Sequence, residues 1–134
     1  MTVVHFSIDF SLRSETFVYD YIRGQKEAGI DASVVTLNRV NADERPFPDV
    51  HVVDRPGRWN PWRLGRRLRA WRRKEPARTA AWPQVRQSLK SHLASVRADV
   101  VHAHFGPAGV LIGPVTDALG CPLVVTFYGN DASS

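Results

Sequence analysis

His102 and His104 stand two residues apart at the end of an apolar run, and Phe105, Gly106 and Pro107 follow at once. On a strand, positions i and i+2 share a face, so both imidazoles point the same way. A His-x-His metal site needs a third ligand, and none stands at a recognisable spacing, so no metal is expected. His104 is nearer the strand end and is the candidate for binding or catalysis. His102 reads as a hydrogen-bonded core residue. A second group is Tyr128-Gly129-Asn130-Asp131. A phenol can donate to a hydroxyl or a phosphate, but it cannot act as a base near neutral pH. Gly129 lets the backbone approach a ligand or take a positive φ. Asp131 could accept from a hydroxyl or cap a helix. In a third group, Arg13 could meet a phosphate, while Ser14 and Glu15 suit an N-cap and the positive end of a helix dipole.

The elements around these groups alternate between strand and helix. Thr2–Ser7 reads as a buried strand and Ile8–Arg13 as a loop. A helix from Ser14 to about Ala28 carries Phe17, Val18, Tyr21 and Ile22 on one side, and Gly29 suits its C-terminal turn. Asp31–Leu37 and Val50–Val53 read as strands, separated by a polar loop with two prolines. Helices follow over Pro61 to about Lys74 and Pro83–Val96, then a strand at Asp99–Ala103. A helix over Ala108–Leu119 should kink or restart at Pro114. Leu123–Phe127 is the last strand. The order β-α-β-β-α-α-β-α-β implies an α/β fold with a mainly parallel sheet covered on both faces. In such sheets ligands bind beyond the carboxyl ends of the strands, where all three polar groups fall.

SETF at a helix start, DVVHAHFGP at one strand end and PLVVTFYGND at the next together resemble the acceptor-side domain of family 4 GT-B glycosyltransferases. The likeness covers nearly the whole chain and implies a single Rossmann-like domain, half of a GT-B fold. It implies transfer of a sugar from a nucleotide-sugar to a lipid-linked or surface-glycan acceptor, with retention and with neither metal nor cofactor. The donor would sit mostly in a C-terminal domain, so these 134 residues are expected to be incomplete and inactive alone. On this reading His104 and Asp131 are catalytic. Arg13, Ser14, Glu15, Gly106, Tyr128, Gly129 and Asn130 bind substrate. Tyr128 departs from many relatives, which carry histidine there. The rival class is a non-catalytic α/β binding module. A dinucleotide-binding domain is disfavoured because Ile8–Ser14 holds no glycine, and a receiver domain because Asp9 has no acidic companions.

Charge is concentrated in one place. Residues 58–74 hold eight basic side chains and no acidic one, within a chain of net charge +5, so the rest is slightly acidic. On a helix, Leu64, Leu68 and Trp71 form a narrow apolar stripe, flanked by Trp62, Arg63, Arg66, Arg67, Arg69, Arg72 and Arg73. An ordinary surface helix would look like this, and so would one lying on an anionic membrane, which is the expected partner. No nucleic-acid motif accompanies the charge. Cys121 is the only cysteine, which excludes an internal disulfide and a thiolate metal cluster. No apolar run approaches a membrane span and no leader stands at the start. The expected location is cytoplasmic, peripheral on the inner face of the membrane.

Overall fold

The apolar runs form strands wherever both their faces are covered. The computed structural model describes residues 1–53 and 82–129. Within them lie β1 (Thr2–Phe10), α1 (Thr16–Glu27), β2 (Asp31–Arg39), β3 (Val50–Val52), α2 (Trp82–Val96), β4 (Val100–His104), α3 (Gly106–Leu119) and β5 (Leu123–Thr126). All four strand pairings are parallel, in the order β3-β2-β1-β4-β5. This is the expected Rossmann-like α/β sheet. The strand order reverses direction between β1 and β4, which opens a crevice at their carboxyl ends. The expected basic helix at Pro61–Lys74 lies outside the described residues.

Side-chain alternation divides the sheet into two apolar faces. Val4, Phe6, Val35, Val101 and Ala103 meet Val85, Leu89 and Leu93 of α2 and Leu111, Ile112 and Val115 of α3. On the opposite face Val34 meets Val18, Tyr19 and Ile22 of α1, and Phe10, the last residue of β1, joins this cluster rather than that of Val4 and Phe6. Burying one such aliphatic side chain contributes about 1.5–3 kcal/mol, so the larger face supplies most of the cohesion.

Four local features differ from the sequence expectation. β1 runs on to Phe10, because residues as far as Phe10 still pair with β2 out to Arg39. Ser14 is not the N-cap of α1. It is exposed within a 3₁₀ turn, Arg13–Glu15, and Glu15 occupies the cap position without a side-chain capping hydrogen bond. α3 begins at Gly106 rather than Ala108. Pro114 neither breaks nor restarts α3. The missing proline N–H frees the Val110 carbonyl, and Arg86 of α2 donates to it at 3.1 Å and to the Leu111 carbonyl at 2.9 Å. Gly29 and Gly120 end their helices at φ +85° and +63°, conformations that exclude a β-carbon at little cost only in glycine.

α3 lies close to β5 at Gly109, where an added β-carbon would sit 2.9 and 3.0 Å from the two methyls of Val125. Gly109→Ala is therefore expected to lower stability by about 1–3 kcal/mol through overpacking. The cost should shrink in a Val125→Ala background. Urea unfolding of the four proteins measures both quantities.

Candidate functional site

Strand register builds the site before any loop does. β1 and β4 pair with His5 directly beside His102, and His104 follows two residues later on the same face. That face lies under α1. The imidazoles of His102 and His104 stack with centroids 4.4 Å apart, and His5 lies 5.2 and 5.3 Å from them. All three are buried. His5 is the functional residue that sequence reasoning passed over. Its signal was a histidine between Val3, Val4 and Phe6 in the apolar first half of β1.

Two of the three rings, His5 and His104, belong to a hydrogen-bonded chain with a definite direction. The Gln25 amide oxygen lies 2.8 Å from His5 Nε2, so this nitrogen carries a proton and donates it. Neutral His5 then accepts at Nδ1, from His104 Nε2–H at 3.0 Å. His104 Nδ1 in turn accepts from the Tyr128 hydroxyl at 2.9 Å. At the far end the Gln25 amide nitrogen donates to the Tyr21 oxygen at 2.8 Å. His102 Nε2 lies 2.7 Å from Thr126 Oγ1. The chain joins α1, β1, β4 and the segment after β5.

Burial keeps these imidazoles neutral. Desolvation lowers the His5 pKa to about 4, although the bond to Gln25 works the other way and His102 adds to the lowering. His104 falls to about 3, again through desolvation, with His102 and His5 disfavouring a further charge. His102 is lowered by burial too. The Tyr128 phenol is pushed up, first by desolvation and then by Tyr21 and Glu15. At neutral pH it is a hydrogen-bonding group only.

Aromatic rings carry the site toward the strand ends. Tyr128 lies 4.6 Å from Phe17 of α1 and 4.7 Å from Phe105, centroid to centroid. Phe105 links β4 to α3 at φ +74°, and Ser11, just beyond β1, has φ +73°. Both are non-glycine residues in the left-handed region, a conformation that costs energy and must be held by its surroundings. The Phe105 N–H bonds the Thr126 carbonyl at 2.9 Å. Ser11 is held through its carbonyl by Asn41 at 2.9 Å and through its hydroxyl by Arg39.

The remaining candidates fall around this centre. Gly106 is half-buried at the start of α3, and Gly129 is exposed beyond Tyr128. Arg13 and Ser14 are exposed and Glu15 is half-buried. Arg13 pairs with Glu44, whose carboxyl it holds below the usual range. Its guanidinium is therefore already neutralised by a surface partner, a pairing that solvent makes weak. Asn130, Asp131 and the basic segment from Trp62 to Arg73 lie outside the described residues.

Two outcomes follow for stability. His5 and His104 have folded pKa values below the ordinary 6.5, so the unfolded chain takes up protons first. Their contribution is complete above about pH 6.5 and is lost progressively as pH falls toward 4 and below. Urea midpoints measured across this range should fall on acidification, and a flat profile would contradict the burial of neutral imidazoles. Tyr128→Phe removes the donor to His104 Nδ1 and should cost about 1–3 kcal/mol in the same assay.

Comparison with known proteins fits this geometry. MurG from Acinetobacter baumannii superposes with a TM-score of 0.62 at 16% identity, over 92% of this chain and 34% of that one. The chain thus spans about a third of that relative. Two structures of the C-terminal domain of the PF1911 hydrogenase from Pyrococcus furiosus match with TM-scores of 0.56 and 0.53, at 12% and 16% identity. They cover 94% and 93% of this chain and 90% of each of theirs. At these identities the likeness is one of fold, shared by proteins of different activity. No curated protein sequence matches. Residues 14–134 match the glycosyl transferase 4-like domain. The chain belongs to that family, as a GT-B domain of the N-terminal type.

Proposed function

We propose that this chain is the acceptor-side half of a retaining glycosyltransferase that moves a sugar from a nucleotide-sugar to a lipid-linked or surface-glycan acceptor. The observation that carries the reading is the Tyr128 segment, held by His104 at the carboxyl end of the sheet beside the β1–β4 crevice, in a chain of this family. In the reaction the acceptor hydroxyl oxygen bonds to the anomeric carbon. The bond from that carbon to the nucleoside diphosphate breaks, and the hydroxyl proton leaves with the phosphate. No metal ion is needed at the reacting carbon. Positive groups of a donor-binding domain stabilise the departing phosphate.

Within this half, Tyr128, whose proton goes to His104, orients a sugar hydroxyl by accepting from it at the phenol oxygen. Its raised pKa keeps it from acting as a base. His104 is fully buried with both ring nitrogens bonded, so it acts through Tyr128 as a positioning residue. Asp131 is the candidate to accept from the acceptor hydroxyl, and Gly106, Gly129 and Asn130 to line the substrate. Arg13, Ser14 and Glu15 face the same cleft in this reading. Arg13 must exchange Glu44 for a phosphate to contribute there.

The reading places the domain in the cytoplasm, against the inner face of the membrane. No helix among the described residues is long and apolar enough to cross a bilayer. Contact would come from Trp62, Arg63, Arg66, Arg67, Arg69, Trp71, Arg72 and Arg73, each basic side chain adding about 1 kcal/mol near an anionic leaflet.

Two measurements test these statements. Nucleoside diphosphate release should be absent for the chain alone and present when it is joined to a donor-binding GT-B domain. Tyr128→Phe in the joined protein should lower kcat/KM about tenfold, the worth of one hydrogen bond. No release in any joined protein would favour the non-catalytic binding module. In flotation assays the chain should rise with phosphatidylserine vesicles and not with neutral ones. Replacing Arg66, Arg67, Arg69, Arg72 and Arg73 by glutamine should abolish this.

A further inference from the structure

The buried histidines have an arrangement that hydrogen bonding alone does not require. Each ring has one nitrogen held from outside the cluster: His5 Nε2 by Gln25, His102 Nε2 by Thr126 and His104 Nδ1 by Tyr128. One nitrogen per ring is left, namely His5 Nδ1, His102 Nδ1 and His104 Nε2. One ligand atom from each of the three residues lies within 4.8 Å of those of the others. Metal-binding histidines characteristically have this pattern, one nitrogen on the ion and the other fixed by an outer partner.

We propose that His5, His102 and His104 form a three-histidine site for a divalent late transition metal, zinc foremost, with a water in the fourth position. The proposal stands apart from the transferase reading and places the ion under the loops, away from the reacting sugar.

The ligand atoms are close together, and the stacked rings must turn for their lone pairs to converge on one ion. Tetrahedral bonds of about 2.0–2.1 Å set ligand nitrogens about 3.4 Å apart. His5 Nδ1 and His104 Nε2 already lie 3.0 Å apart. The longest separation in the trio must contract by at most about 1.4 Å to reach the same value. An all-imidazole set without carboxylate suits zinc, copper or nickel and disfavours magnesium and calcium. The half-exposed Tyr21 ring lies 6.0, 5.6 and 6.1 Å from the three imidazoles and forms the side of the cluster nearest solvent. Neutral rings offer lone pairs without first losing a proton.

Binding would reverse the chain at one end. With Nε2 of His104 on the ion, its proton moves to Nδ1, which then donates to the Tyr128 oxygen. No proton is gained or lost overall, and the Tyr128 hydroxyl hydrogen becomes free to point into the cleft.

The test is titration of the metal-free full chain with Co²⁺, read by its visible absorption, followed by Zn²⁺ displacement and thermal melting. The expected result is one Co²⁺ per chain with the intense bands of a tetrahedral centre, displaced by Zn²⁺, and a raised Tm with either ion. His102→Ala should abolish the bands. Gln25→Ala touches no ligand nitrogen, so it tests the site even if His102→Ala does not fold; it should weaken affinity about 10–100-fold. The separate His51–His92 pair, stacked at 3.9 Å, provides a control. Absence of the bands, bands that survive His102→Ala, affinity unchanged in Gln25→Ala, or loss of the bands in His51→Ala would each overturn the proposal.

Discussion

Three uncharged imidazoles packed against one another at the β1–β4 junction are the constraint on which the rest of the structure turns. A single added proton there would place a charge in a desolvated cluster whose other members also resist charging. The neutral state lets His104 and His5 both donate and accept, and so pass hydrogen-bond direction from Tyr128 to Gln25. Because those partners lie on α1 and beyond β5, the cluster ties together elements that also meet through the Phe17 and Tyr128 rings. Among the described residues α1 packs chiefly on β2, whereas α3 packs on β4 and β5.

The loops inherit their placement from that junction. Tyr128 is held by His104 from below and by Phe17 and Phe105 from the sides. Phe105 tolerates its left-handed backbone because β5 accepts its N–H and Tyr128 covers its ring. α3 reaches β5 through Gly109, which brings the helix start and the Tyr128 segment to one end of the sheet. A parallel sheet thereby converts interior packing into the position of polar groups at its carboxyl edge, where open α/β sheets meet their ligands.

The alternating apolar runs and helical periodicities were legible in the sequence, because they depend on local spacing, and so was the parallel α/β class. The meeting of His5 with His104 was not. It joins residues 99 positions apart through strand register, a tertiary relation that no local pattern encodes. The start of α1 was misread for a similar reason. Ser14 has the chemistry of a cap, but the chain after β1 first makes a 3₁₀ turn, and Arg45 bonds the Leu12 carbonyl just before it. α3 runs through Pro114 without a restart, and Arg86, from another helix, satisfies the freed carbonyl. His104 and Tyr128 were read as separate groups, and the structure joins them in one hydrogen-bonded unit.

The most direct measurement is long-range proton–nitrogen NMR of the imidazole rings in the metal-free chain, followed through an acid titration. His5 and His104 should both be neutral at pH 6.5 with the proton on Nε2, and should stay so until close to their lowered pKa values of about 4 and about 3. Imidazoles already protonated at pH 6.5, or a proton resting on His104 Nδ1, would contradict the directed chain from Tyr128 to Gln25 and with it the account of how the site is held.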